Sequence, residues 1–139
     1  MSEVLKVNNL KKIYHTKNEE ILALDNIDFS VESGSFISIV GPSGCGKSTI
    51  LSIISGLVEK SDGNILLKDN YKVAYMLQDD CLLPYKTILE NCLLGLKIQN
   101  KLNKDSKSYV LSLLRAYGLE DFINKYPSNL SGGMRQRVL

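Results

Sequence analysis

The order of apolar and polar positions predicts a β-rich first part and a helical second part. Val4-Leu5-Lys6-Val7 predicts a short strand, Lys11-Lys12-Ile13-Tyr14 a second short extended piece, and Lys17-Asn18-Glu19-Glu20 a polar turn. Ile27, Phe29 and Val31 alternate with Asn26, Asp28, Ser30 and Glu32, the period of two expected of a half-buried strand. Ser33-Gly34 then closes a turn, so this part is expected to form an antiparallel β-layer. Phe36-Ile37-Ser38-Ile39-Val40 is nearly all apolar, which predicts a strand covered on both faces inside a parallel sheet. Apolar residues at helical spacing follow up to about Ser55, with Gly56 placed to stop the helix. Beyond it, Ser61-Asp62-Gly63 and Asp69-Asn70 predict turns, Ile65-Leu66-Leu67 a strand, and Val73-Ala74-Tyr75-Met76 another buried strand.

The pattern then changes period. Thr87-Ile88-Leu89-Glu90 has the form of a capping box, in which the threonine hydroxyl and the glutamate carboxylate each bond a free N–H of the other's residue. Ile88, Leu89, Cys92, Leu93 and Leu96 fall on one face of the helix it would open. Residues 100–107 are polar and lysine-rich and are read as a solvated loop. Val110, Leu113, Leu114 and Tyr117 predict a second helix stopped by Gly118, and Leu119–Tyr126 a short third one ended by Pro127.

Composition narrows the class. The 139 residues suffice for a modest domain with its own core, and 44% hydrophobic with 23% charged residues describes a globular chain rather than a disordered one. A formal net charge of +2 gives no argument for nucleic acid as a partner or for an acidic membrane surface. No apolar run is long enough to span a bilayer, and Met1-Ser2-Glu3 does not begin a secretory leader, so a cytoplasmic location is expected. Cys45, Cys81 and Cys92 are odd in number and match no zinc spacing, which predicts free thiols; His15 is read as a solvated loop residue.

Between the Phe36–Val40 segment and the helix lies Gly41-Pro42-Ser43-Gly44-Cys45-Gly46-Lys47-Ser48-Thr49, which fits G-x-x-x-x-G-K-[ST] at Gly41, Gly46, Lys47 and Ser48. A polyphosphate needs many donors converging on it, and backbone N–H groups converge only where the chain curls tightly, as glycines allow. The helix start adds unpaired N–H groups and the positive end of its dipole. Lys47 supplies a full charge, and the Ser48 hydroxyl is a candidate ligand for Mg²⁺ beside phosphate and water. Cys45 lies inside this loop beside a lysine. Alkylation there is expected to block nucleotide binding unless the thiol is buried and inert.

A second motif comes near the end. Ser131 is a helix N-cap candidate, and Gly132-Gly133 leaves backbone N–H groups bare at a helix start. Leu130-Ser131-Gly132-Gly133-Met134-Arg135-Gln136 resembles the signature motif of ATP-binding cassette (ABC) ATPases, downstream of a matching Walker A loop. Gln78 resembles the family's Q-loop glutamine and Tyr14 the aromatic of its A-loop. The stretch from Tyr75 to Tyr85 and Thr87-Ile88-Leu89-Glu90-Asn91 look most like importer ATPases of the nitrate/sulfonate/taurine branch.

The resemblance implies an α/β fold: a P-loop NTPase core with an antiparallel β-layer and an inserted helical subdomain. The implied division is a nucleotide-binding core over 1–80, a helical subdomain over 81–128, and the signature with the start of its helix over 129–139. It implies ATP and Mg²⁺ as cofactors, held by Gly41, Pro42, Ser43, Gly44, Cys45, Gly46, Lys47, Ser48 and Thr49. Tyr14 would stack on the base, or else be a cross-strand packing tyrosine. Gln78 would contact Mg²⁺ or the attacking water and sense a transmembrane partner, or else be a capping amide in a loop. Ser131, Gly132 and Gly133 would act in trans, closing over ATP held by a second subunit paired head to tail. The implied partners are transmembrane permease subunits, that second ATP-binding subunit and, indirectly, a solute-binding protein. The implied location is the inner face of the membrane, reached through the permease.

The family's Walker B aspartate, catalytic glutamate and switch histidine come after the signature helix, and no earlier acid can take those roles by the family's order; Asp79 and Asp80 are read as loop residues. The chain is therefore expected to be a C-terminally incomplete cassette that turns over little or no ATP alone. A bare neighbour to Phe36–Val40 predicts marginal stability or aggregation. Two alternatives stand beside the importer subunit: a non-catalytic fragment with weak or no nucleotide binding, and a soluble ABC ATPase outside transport.

Overall fold

The computed structural model describes residues 2–139; Met1, part of the leader reading, lies outside the described residues. The chain folds as two compact units, one up to Tyr75 and one over Met76–Leu139. No described helix is long and apolar enough to cross a membrane.

The first unit is a three-stranded antiparallel sheet with one helix on it. Strand β1 (Glu3–His15) is central, flanked by β2 (Glu20–Glu32) and β3 (Asp62–Leu67). The two short extended pieces read from the sequence are thus one long strand. What looked like a break between them is a bulge. Val7 pairs with Phe29 and Leu10 with Ile27, so β1 carries one residue more than β2 across that interval. Between Leu10–Ile27 and Lys12–Leu24 the extra residue is on β2. Asn9 (φ 48°) and Asn26 (φ 49°) take the left-handed conformation at these two places, and asparagine is among the few side chains that enter it readily. The Asn9 N–H donates to Asp28 Oδ1 at 2.7 Å.

The bulges keep the core on one face. Side chains alternate along a strand, so Val7 and Leu10, three apart, would otherwise point to opposite sides. With the extra residue, Leu5, Val7 and Leu10 all reach the core with Leu24. Helix α1 (Lys47–Ile54) covers that face with Ile50 and Ile53 and ends at Ser55 and Gly56. Gly63 at the start of β3 (φ 88°) lies under the first bulge, where a Cβ would run into the Asn9 carbonyl oxygen and meet the Asn8 oxygen at 2.7 Å.

Two sequence expectations are overturned here. Phe36–Val40 and Val73–Met76 are irregular rather than buried strands. Phe36 is 96% exposed and Val40 85%. A strand exists only where its N–H and C=O groups are paired by a neighbour, and no described residue forms a ladder with either segment. Apolarity made the segments fit for a sheet interior, but it cannot itself supply the partner. His15 is the last residue of β1 rather than a loop residue. It is exposed, with Nδ1 3.0 Å from Glu20 Oε1.

The second unit is helical. Helix α2 (Ile88–Ile98) opens with the expected capping box: Thr87 Oγ1 accepts the Glu90 N–H at 3.3 Å and Glu90 Oε2 accepts the Thr87 N–H at 2.8 Å. Its next free donors, the N–H groups of Ile88 and Leu89, bond the carbonyls of Lys125 and Ile123 at 2.9 and 3.0 Å. Helix α3 (Lys104–Ala116) starts earlier than expected, inside the stretch read as a loop. Asn103 and Ser106 form a second reciprocal cap, which outweighs the solvated character of the lysines. The expected third helix over 119–126 is a single 3-10 turn, Glu120–Phe122, and a second such turn, Pro127–Asn129, follows it before α4 (Gly132–Val138). Ile88, Leu114, Leu119 and Leu130 form the core of this unit. Cysteines 45, 81 and 92 are free, as expected.

Two outcomes follow. Gly63→Ala combines a left-handed backbone with a backbone clash and is expected to cost about 3 kcal/mol. Gly34→Ala, with φ 78° but open space around its Cβ position, should cost only about 1 kcal/mol in the same urea titration. Hydrogen bonds from Thr87 hold the Glu90 carboxyl below its ordinary value of 4.5, the backbone N–H contributing most. A lowered folded value means the cap stabilises fully above pH 4.5 and is lost as pH falls below it through the folded value. Glu90→Gln keeps an N3 acceptor without the titration, so acid unfolding followed by circular dichroism should be less steep in that variant.

Candidate functional site

The phosphate-loop segment is built into the first unit by contact as well as by turn chemistry. Gly46 (φ 91°) is the N-cap of α1 and its carbonyl accepts the Ile50 N–H at 3.0 Å. A Cβ there would lie 2.6 Å from Leu24 Cδ2 and 2.7 Å from the Ala23 oxygen, so only glycine lets the helix start this close to β2. Gly44 is also left-handed, at φ 81°. The Cys45 N–H reaches the Pro42 oxygen at 3.5 Å, and a Cβ on Gly41 would meet Cys45 Sγ at 2.7 Å. Gly41 through Cys45 are exposed, Gly46 is buried, Lys47 and Thr49 are half-buried and Ser48 is exposed.

Lys47 folds back across the loop. Its Nζ donates to the oxygens of Gly41 at 2.8 Å and Pro42 at 2.6 Å and lies 3.5 Å from Cys45 Sγ. The ammonium is thereby held at the exposed side of the turn rather than swinging free on its four-carbon stem. A cationic group, a tight glycine turn and a helix start in one place fit a phosphate group. The exposed Ser48 hydroxyl in the first turn of α1 fits a cation that takes few protein oxygens, as Mg²⁺ does.

Tyr14 lies near the end of β1, paired with Ile21 and 37% exposed, with Lys12 Nζ 4.8 Å from the ring centroid. Its ring is outside the core cluster.

In the second unit, Gln78 is exposed in a bend before α2. Ser131 caps α4, its Oγ accepting the Met134 N–H at 3.3 Å, and Gly132 and Gly133 are exposed in the first turn. Sequence reasoning passed over two features here. Asp80, read as a plain loop residue, receives a hydrogen bond from Arg135 at 2.6 Å. Asn91 fastens the loop ahead of α2: its Oδ1 accepts the Leu83 N–H at 2.8 Å and its Nδ2 donates to the carbonyls of Leu83, Lys86 and Thr87. Partners 55 positions apart leave no local pattern, whereas Asn91 could have been flagged as an amide in the first turn of an amphipathic helix. Cys92, half-buried, points Sγ at the Val138 oxygen at 3.8 Å, and burial pushes its thiol up.

The family model described as ABC transporter matches residues 24–139. The uncharacterized ABC transporter ATP-binding protein YtlC of Bacillus subtilis (strain 168) is 48% identical over 140 residues, covering 96% of this chain and 54% of that protein. The taurine import ATP-binding protein TauB of Rhizobium johnstonii is 38% identical over 143 residues, covering 97% and 54%. Among solved structures, the dimeric bacterial ABC transporter cassette MJ0796 has a TM-score of 0.81 and 34% identity, covering 96% of this chain and 66% of that one. The chain spans about half the length of the curated relatives it matches. The glycine-bound loop and the turn capped by Ser131 therefore lie in a chain that belongs to the ABC transporter family of ATP-binding proteins.

Proposed function

We propose that this chain forms part of the ATP-binding subunit of an ABC importer and binds ATP with Mg²⁺ at Gly41–Thr49. The observation that carries the reading is the Lys47 ammonium, bonded to the Gly41 and Pro42 oxygens at the exposed side of a turn that only glycine permits. Backbone N–H groups and Lys47 bind the phosphates, Ser48 offers its hydroxyl to the metal, and Tyr14 offers an aromatic face to the base. Mg²⁺, when bound, neutralises phosphate charge. Gln78 contributes an amide oxygen to the metal or the water and senses the permease. Ser131, Gly132 and Gly133 serve nucleotide held by a second subunit, in line with the dimeric state of the MJ0796 cassette. The functional division is 1–80, 81–128 and 129–139, and the subunit works on the inner face of the membrane against a permease fed by a solute-binding protein. Import as the coupled process is supported by the name of the taurine import relative.

A second reading, a fragment that binds nucleotide weakly, is favoured by the bare Phe36 and Val40 just ahead of the loop. Titration with a fluorescent ATP analogue separates the two. The importer reading expects saturable binding that Lys47→Ala weakens roughly 30- to 100-fold, the loss of a charge-assisted contact worth about 2–3 kcal/mol. Equal, millimolar binding by both proteins would favour the fragment.

A further inference from the structure

Arg135 makes two side-chain contacts in the second unit. Its Nε donates to Asp80 Oδ2 at 2.6 Å and its Nη1 to the Leu130 oxygen at 2.9 Å, while its backbone N–H donates to the Ser131 oxygen at 2.9 Å. The other Asp80 oxygen accepts the Leu82 N–H at 3.3 Å. The two side chains are 35% and 32% exposed, the most sheltered ion pair among the described residues. Asp80 is two residues past Gln78, and the loop beyond it is fastened to α2 by Asn91. Leu130 is the residue before the cap of α4. One guanidinium thus bridges the loop that carries Gln78 and the turn that opens into Ser131-Gly132-Gly133. The planar fork of arginine can serve a carboxylate and a carbonyl at once.

We propose that the Asp80–Arg135 ion pair is a positioning element that ties the Leu130–Gly133 turn to the Gln78 loop, so that a displacement of one is carried to the other. Its functional meaning rests on the roles given above to Gln78 and to the signature residues. Arg135 touches neither nucleotide nor reacting atoms in this scheme; it acts through the turn that it holds. Through it, a push on the Gln78 loop by a partner protein becomes a shift of the residues offered to a second subunit's nucleotide.

The test uses the whole 139-residue chain and two readouts. In amide hydrogen exchange followed by NMR, Asp80→Asn speeds exchange of the Met134 and Arg135 N–H groups about fivefold and leaves Ser112–Arg115 of α3 unchanged. Asp80→Asn adds nothing further in an Arg135→Met background, and Asp80→Glu restores part of the protection. In sedimentation with Mg-ATP, Asp80→Asn weakens nucleotide-dependent self-association at least fivefold, while affinity for the fluorescent ATP analogue stays within twofold of wild type. Unchanged exchange at Met134 and Arg135, or additive effects of the two substitutions, overturns the tether. Altered exchange with unaltered self-association overturns the positioning role. Wild-type chain that binds the analogue but does not self-associate with Mg-ATP sinks the in-trans reading of the signature, and the positioning role with it, while the exchange data still decide whether the tether exists.

Discussion

The approach of α1 to β2 at Gly46 is the constraint on which the first unit depends. The helix must lie close enough for Ile50 and Ile53 to cover Leu10 and Leu24, and its first residues then run against Leu24 and the Ala23 carbonyl. Any side chain at Gly46 would lift the helix from the sheet. The same contact sets where Lys47 begins, and so where its ammonium can reach the Gly41 and Pro42 oxygens. Packing asks for glycine at this position because the core needs the space, and the proposed phosphate site would ask for it a second time because its ligand needs the curl. Because the lysine is already held, a phosphate bound as proposed would meet a loop whose ordering cost has largely been met in folding.

Legibility in the sequence followed the range of the interaction. The Thr87–Glu90 box and the Ser131 cap are satisfied within three or four residues, so the pattern alone located both. The Gly41–Lys47 turn is equally local in its contacts. Asn103 and Ser106 carried a readable signal of the same kind, hidden by the lysines that follow. Features that need a distant partner were not legible. The run from Phe36 to Val40 records what the segment is fit for, namely a ladder on each side, and pairing decides whether it becomes a strand. Asp80 and Arg135 fail for the same reason in reverse: nothing about an acid in a loop and an arginine in a helix announces that they meet.

The second unit shows how a small helical assembly satisfies its backbone without long helices. The N–H groups at the start of α2 are taken by Thr87, Glu90 and two carbonyls of the 120–125 turn, and the Asn91 amide closes the loop before it. Loop, turn and helix are joined by hydrogen bonds that also surround Ile88 and Leu119, both fully buried. The loop that holds Gln78 is therefore continuous with a packed core, and a force applied to it meets a stiff body rather than slack chain.

The paired bulges of β1 and β2 have a consequence for how the hairpin forms. Each bulge reverses the inward–outward sequence of side chains, one at Asn9 and the next, on the opposite strand, at Asn26. A hairpin zipping from the Lys17–Glu19 turn one residue out of step would bring the wrong side chains inward in the first segment. It would also meet a left-handed asparagine opposite a residue with no matching extra position. Mispairing is thus exposed within a few residues of where it begins, before Leu5 and Val7 have closed. The register of the hairpin is in this way written along its whole length, in four shifts of which two are marked by left-handed asparagines, and not in the turn alone.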